Sequence, residues 1–279
     1  VAAEIGANVQ AIDLLREVLA ERADDVALVA EIATLCERDG RIIELVHLRT
    51  RELELTPDPQ RRLALRLELS RLVGDLERRG GRVEALERNL AESPGHAPSV
   101  AALAEILEEK GRHGQLCDIV EHQARTLSGS DSSAHARAAE LWAMAATLAA
   151  DRLGDTERAI AALTQQVTLI PDNDALDTLA RLHLSRNEPA AAATRLQQRL
   201  LSTEPGARVP VLLRLARALL QAEREQDATT TLEAAFEESP KNGEVRKLLL
   251  KLYRSREQWE PLARALVTAA EVAADPAAV

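Results

Sequence analysis

The stretch RLGDTERAIAALTQQVTLIPDN, residues 152–173, decides how this chain is read. It opens on Gly154-Asp155, continues through apolar residues at helical spacing and stops at Pro171-Asp172-Asn173. A glycine that lets the chain turn left-handed, an aspartate that can cap free amides and a closing proline are the punctuation of one helix. A Gly-Asp turn ahead of a helix could also offer amides to an anion. Which reading holds depends on whether the pattern recurs.

It recurs. Turns of the same kind, each between two helical patterns, fall at Gly40-Arg41, Gly81-Arg82, Gly111-Arg112, Gly154-Asp155, Asn187-Glu188, Glu223-Arg224 and Glu257-Gln258. Taken two at a time they lie 69 to 76 residues apart, so a long hairpin alternates with a short one. Runs before a turn, such as DVALVAEIATLCER (25–38) and VLLRLARALLQAER (211–224), place apolar residues at i, i+3, i+4 and i+7. Runs after it, such as RVEALERNLAES (82–93) and DATTTLEAAFEES (227–239), end at or near Pro57, Pro94, Pro171, Pro205 and Pro240. Asp25, Ser99, Asn173 and Asn242 are the expected caps of the helices that follow. The segment SGSDSS (128–133) reads as a flexible connector. A phosphate cradle would not survive replacement of Gly by Asn or Glu, so these turns are hinges.

Composition agrees with an all-α chain. Aromatic residues make up 1% of 279 residues, too few for a β-sandwich or barrel of this length. Leu, Ala, Glu and Arg dominate, and these are strong helix formers. A net charge of −10 argues against a nucleic-acid backbone as partner. The longest uncharged apolar run, LWAMAATLAA (141–150), is half a membrane span, so no membrane insertion is expected. Cys36 and Cys117 lie far apart and form no disulfide framework; they read as buried free thiols and favour a reducing compartment. The expected location is the cytoplasm, with the periplasm as the alternative.

The residues carry a resemblance to the tetratricopeptide-repeat (TPR) family over nearly the whole chain. GDTERAIAAL…IPDN holds that family's Gly-Asp turn, the small contact residue (Ala159), the large apolar residue four later (Leu163) and the terminal proline (Pro171). The hairpin around Glu223 repeats this with Leu215-Ala216, Ala228, Leu232 and Pro240. With one extra residue allowed in the turns of the long hairpins, Trp142 and Tyr253 fall on the family's first-helix aromatic positions. Leu45, Leu86 and Leu116 stand where the family has a small residue, so the N-terminal repeats are degenerate. The alternation of spacing resembles long bacterial TPR arrays. The resemblance implies a right-handed superhelical α-solenoid of about seven antiparallel hairpins, a single continuous array over residues 1–279. With Val at its start, the chain is expected to be a piece of something longer.

Catalysis requires convergent groups, and the sequence supplies none. His113 and Cys117 share a helix face, but His122 is half a turn out of phase. His47, His96, His135 and His183 are scattered, and no HExxH, Walker or GxSxG motif occurs. No catalytic residue, metal or cofactor is therefore expected, and the chain reads as a non-enzyme. In TPR-like arrays the first helix of each hairpin lines a concave groove, which in this register presents Thr34, Gly74, Glu105, Thr147, Arg181, Arg217 and Lys251. The last three are basic, Arg214 and Lys247 flank them, and Glu31, Glu37, Glu105 and Glu108 populate the N-terminal half. The expected partner-binding residues are thus Arg181, Arg214, Arg217, Lys247 and Lys251, receiving an acidic or C-terminal segment of a protein or peptide. The competing reading pairs these cations with neighbouring Glu and Asp. The leading function is a protein-interaction scaffold; the alternative is a regulatory or sensor module of a larger signalling or transcription protein. The amphipathic ends NVQAIDLLREVLAER and LARALVTAAEVAA suggest self-association through the terminal helices.

Overall fold

The computed structural model describes the backbone of residues 2–75 and 81–274. A first helix, α1 (Ala2–Glu21), precedes helices that pair in sequence order. The pairs are α2 (Val26–Arg38) with α3 (Ile42–Leu55), α4 (Pro59–Asp75) with α5 (Gly81–Glu92), and α6 (Ala97–Glu109) with α7 (His113–Ser128). There follow α8 (His135–Thr147) with α9 (Thr156–Leu169), α10 (Asn173–Ser185) with α11 (Pro189–Leu201), α12 (Arg208–Gln221) with α13 (Glu225–Glu238), and α14 (Gly243–Ser255) with α15 (Trp259–Ala274). No strand occurs among the described residues. The chain divides into two compact units, Val1–Leu141 and Trp142–Val279, with the division inside α8.

One backbone device joins the helices of a pair. At Gly40, Gly111, Asn187, Glu223 and Glu257 the chain takes positive φ, between 54° and 72°. The next residue's N–H then reaches a carbonyl five residues back. Arg41 bonds Cys36, Arg112 bonds Leu107, Glu188 bonds His183, Arg224 bonds Leu219 and Gln258 bonds Tyr253, all at 2.8–2.9 Å. This is the Schellman closure, which satisfies carbonyls the helix end would leave free. The expected turn near Gly81 borders residues 76–80, which lie outside the described residues.

The turn at Gly154 differs from the other five. Residues Leu148–Leu153 form a π-helical turn, and the N–H of Asp155 reaches Ala149, six residues back rather than five (2.8 Å). The extra residue allowed in this long hairpin matches a π-bulge in the last turn of the first helix. Asp155 still caps α9 by accepting from the N–H of Arg158 (3.0 Å).

The other expected caps divide evenly. Asp25 accepts from Leu28 N–H (3.1 Å), and Asn242 accepts from Glu244 and Val245 N–H. Ser99 is not a cap: α6 begins two residues earlier because Pro98 suits the first turn of a helix. Its buried hydroxyl instead accepts from the Asn89 amide (3.0 Å). Asn173 is displaced by its neighbour, since the Asp172 carboxylate accepts from Ala175 N–H (2.7 Å) and carries the charge that a helix N-terminus favours. The segment 128–133 closes through a cap of its own, with Asp131 accepting from the N–H and hydroxyl of Ser133.

Each unit has its own core. In the second unit Ala180, Ala192, Ala193, Ala216 and Ala228 are fully buried beside Leu196, Leu219 and Leu232. The alanines let helix axes approach, and the leucines fill the space between them. In the first unit Ile12, Ile32, Ala33, Cys36 and Leu45 form a cluster. Ala33 and Ala146 are buried, whereas Ala104 is half-buried. Cys36 and Cys117 are fully buried thiols that are not joined in a disulfide. Burial and the nearby Glu44 carboxylate push the Cys36 thiol above its ordinary pKa, so it stays protonated.

The first unit also buries a charged knot. Arg49 and Glu52 are 5% and 1% exposed and bond at 2.7 Å. Arg49 also donates to Glu68 (2.7 Å) across the α3–α4 contact, and Arg61 donates to the other oxygen of Glu52 (2.8 Å). Such a group survives burial only because every charge has a partner.

Candidate interaction face

The first helices of the hairpins present the residues in question. Arg181 on α10, Arg217 on α12 and Lys251 on α14 are all exposed, as is Lys247 one turn before Lys251. Thr147 and Glu105 are exposed too, while Thr34 is half-buried and bonds its own helix at Ala30 O (2.9 Å). The side chain at Gly74 lies outside the described residues. Glu31, Glu37 and Glu108 are exposed on the first unit.

The five cations are not equivalent. Arg214 donates to Asp177 at 2.7 Å, and Asp177 also lies 3.5 Å from Arg199. Arg217 pairs with Glu244 on the following hairpin. Among the described residues no carboxylate lies within ion-pair distance of Arg181, Lys247 or Lys251. Two of the five are therefore partly neutralised within the fold and three face water. Exposed pairs of this kind contribute little stability, so their main effect is on the charge a ligand meets.

Arg181 and Arg214 line one shallow cavity of about 370 Å³ between α10 and α12, with Asp177, Thr178 and Leu184. On its other side Arg181 borders a second cavity of about 340 Å³ walled by α8, α9 and α10. Alanines at 143, 146, 150, 159 and 175 leave that space open, and Asp151, Asp172 and Asp174 edge it. These acidic neighbours were not picked out from the sequence, although Asp177 stands one helical turn before Arg181 and was open to the same register argument. Among the described residues no group of three or more His, Cys, Asp and Glu is placed to hold a metal ion. His113 and Cys117 lie on one helix, and Cys117 turns its sulfur toward Glu121.

Paired helices of 12 to 17 residues, left-handed Schellman hinges and small residues at the helix contacts are now all in view. The chain is an all-α repeat of helical hairpins, the architecture that the resemblance to the tetratricopeptide family implies. No family model and no curated protein matches it. Solved structures similar to this repeat include a MamA protein, 17% identical, covering 64% of this chain and 92% of that one with a TM-score of 0.39. Another is the C-terminal part of a TPR repeat-containing protein from Cytophaga hutchinsonii, 9% identical over 86% of this chain and 93% of that one, TM-score 0.41. A third is YrrB, described as a TPR protein with an unusual peptide-binding site, 12% identical over 83% and 95%, TM-score 0.36.

The termini of the repeat expose apolar side chains. Leu14 on α1 is 63% exposed, Trp259 on α15 is 62% and Val267 is 58%. No helix among the described residues is long and apolar enough to cross a membrane.

Proposed function

We propose that this repeat is a non-enzymatic protein-interaction scaffold whose first-helix face in the second unit binds a protein segment rich in acidic groups or ending in a carboxylate. The observation that supports this is the set of exposed, unpaired cations, Arg181 on the first helix α10 and Lys247 and Lys251 on the first helix α14. Arg181 offers a planar fork suited to two-point carboxylate contact, and the lysines act as point charges. Arg214 and Arg217 serve as a reserve: Asp177 and Glu244 hold them in place, and an incoming carboxylate competes for them.

The test follows from this ranking. The triple variant Arg181→Glu, Lys247→Glu, Lys251→Glu leaves every described ion pair intact. It is expected to lose capture of its partner from the native lysate while keeping its helical circular dichroism. Capture that persists unchanged in the folded variant overturns the reading. Self-association through α1 and α15 belongs to the same proposal, resting on the exposed Leu14 and Trp259. Sedimentation velocity over a range of concentrations reads it directly, with Trp259→Glu as the control.

A further inference from the structure

A different surface in the first unit has the build of a docking cleft. Helices α5 and α7, the second helices of consecutive hairpins, leave between them a cavity of about 410 Å³. Its walls are Leu90, Ala91 and Pro94 on one side and Ile119 on the other. Ala91 and Pro94 are exposed and Ile119 is half-buried, so apolar surface is in contact with water. The volume lies within the ordinary range for small binding pockets, which starts near ~300 Å³.

The cleft is fixed in shape. Gln123, at its base, accepts a hydrogen bond from Gly95 N–H (2.9 Å) through its side-chain oxygen, and Arg137 donates to Gly95 O (2.9 Å). Gly95 sits at φ +71°, and a Cβ there would lie 2.4 Å from Leu127 Cδ1. The turn after α5 is thereby locked onto α7, and Pro94 cannot swing away. A preformed cavity spares its ligand the cost of ordering the walls.

The rim sets the sign of the occupant. Glu87 on α5 and Asp118 on α7 both line the cavity and are exposed, and no Lys or Arg lines it. A second copy of this chain would bring a net charge of −10 to an acidic rim. We propose that this cleft docks a segment of another protein that presents one leucine-sized apolar side chain flanked by Lys or Arg. The side chain fills the space over Leu90 and Ile119, and the flanking cations meet Glu87 and Asp118. This surface is separate from the cationic face proposed above and has the opposite charge preference.

The experiment uses the full chain, labelled with nitrogen-15, and three short peptides as probes. They are acetyl-Ala-Lys-Leu-Lys-Ala-amide, the same peptide with Glu for both Lys, and the same peptide with Ser for Leu. Amide shift changes that saturate at residues 90, 91, 119 and 122 with the first probe support the proposal. So does binding about tenfold weaker for either other probe, on the scale of one lost apolar contact. Ala91→Phe fills the cleft from an exposed position and Glu87→Lys reverses the rim; each is expected to abolish saturation while the protein stays folded. The triple variant of the cationic face is expected to bind the first probe unchanged. Equal binding of the Lys and Glu probes, shifts that map outside α5 and α7, or the absence of saturation overturns the proposal. Loss of the probe in the triple variant does the same, by placing the probe on the cationic face.

Discussion

At Gly111 and Gly154 the backbone sits at φ 64° and 65°, and a Cβ added at either meets nothing within 4 Å. Any cost of substitution there is conformational alone. Gly111→Ala is expected to lower stability by about 1 kcal/mol, read from the denaturant midpoint. The reverse change tests the same physics, since Glu223 and Glu257 occupy the equivalent position at φ 58° and 54°. Glu223→Gly is expected to raise the midpoint, by up to about 1 kcal/mol. Gly95→Ala is expected to cost more than Gly111→Ala, because it adds a clash with Leu127 to the same strain. A second residue-scale prediction concerns pH. Hydrogen bonds from Arg62, then Arg66, hold the Glu92 carboxyl below its usual value. A carboxylate lowered in this way stabilises the fold above its unfolded pKa of about 4.3, and that contribution is lost as pH falls through the lower folded value. Glu92→Gln should therefore flatten the acid limb of a stability–pH curve and leave its neutral region little changed in shape.

The hairpin hinge is an element-scale design, and the π-turn before Gly154 is its one described variation. The resemblance allowed one extra residue in this long hairpin; the backbone has room for it in Leu148–Leu153 through one bond of wider reach. Deleting Ala150 is expected to restore the five-residue closure and leave α8 and α9 paired. Deleting Ala218, in the regular α12, is expected to break its hairpin. Hydrogen exchange over α9 and α13 distinguishes the two outcomes. The knot at the α3–α4 contact makes a further prediction. Glu52→Ala takes from Arg49, which is 5% exposed, one of its two close carboxylate partners and leaves Glu68 as the other, and is expected to cost up to about 3 kcal/mol. Changing Glu68 alone should cost less, because its side chain is 28% exposed and water can replace it.

For the whole molecule, a net charge of −10 coexists with a local cationic face and an acidic apolar cleft. Two partner segments of opposite charge could then be held by one chain, one on first helices and one on second helices. Binding to the cationic face is expected to weaken steeply with salt, as screening acts on exposed charges. Binding in the cleft is expected to keep more of its strength, because burial of the apolar side chain does not depend on ions. Partner capture by the cationic face and titration of acetyl-Ala-Lys-Leu-Lys-Ala-amide in the cleft, each at low and high ionic strength, separate the two.

The sequence by itself determined the helical class and pointed to the left-handed positions at Gly40, Gly111, Gly154, Asn187, Glu223 and Glu257, because those follow from local rules. Apolar spacing, prolines after the second helices and residues able to turn left-handed act within a few positions along the chain. It also determined that Arg181, Arg217 and Lys251 share a register, since that is arithmetic on the repeat. Only the tertiary structure decided which charges remain available. Arg217 meets Glu244 and Arg214 meets Asp177 across distances in sequence of 27 and 37 residues, and no local rule reports such encounters. The same holds for Ser99, whose hydroxyl was a cap by position and became part of a buried network because Asn89 arrived from another helix. The cleft between α5 and α7 was likewise absent from the sequence pattern: it is a space between elements, and its shape depends on how Gly95 is pinned to a helix that comes later in the chain.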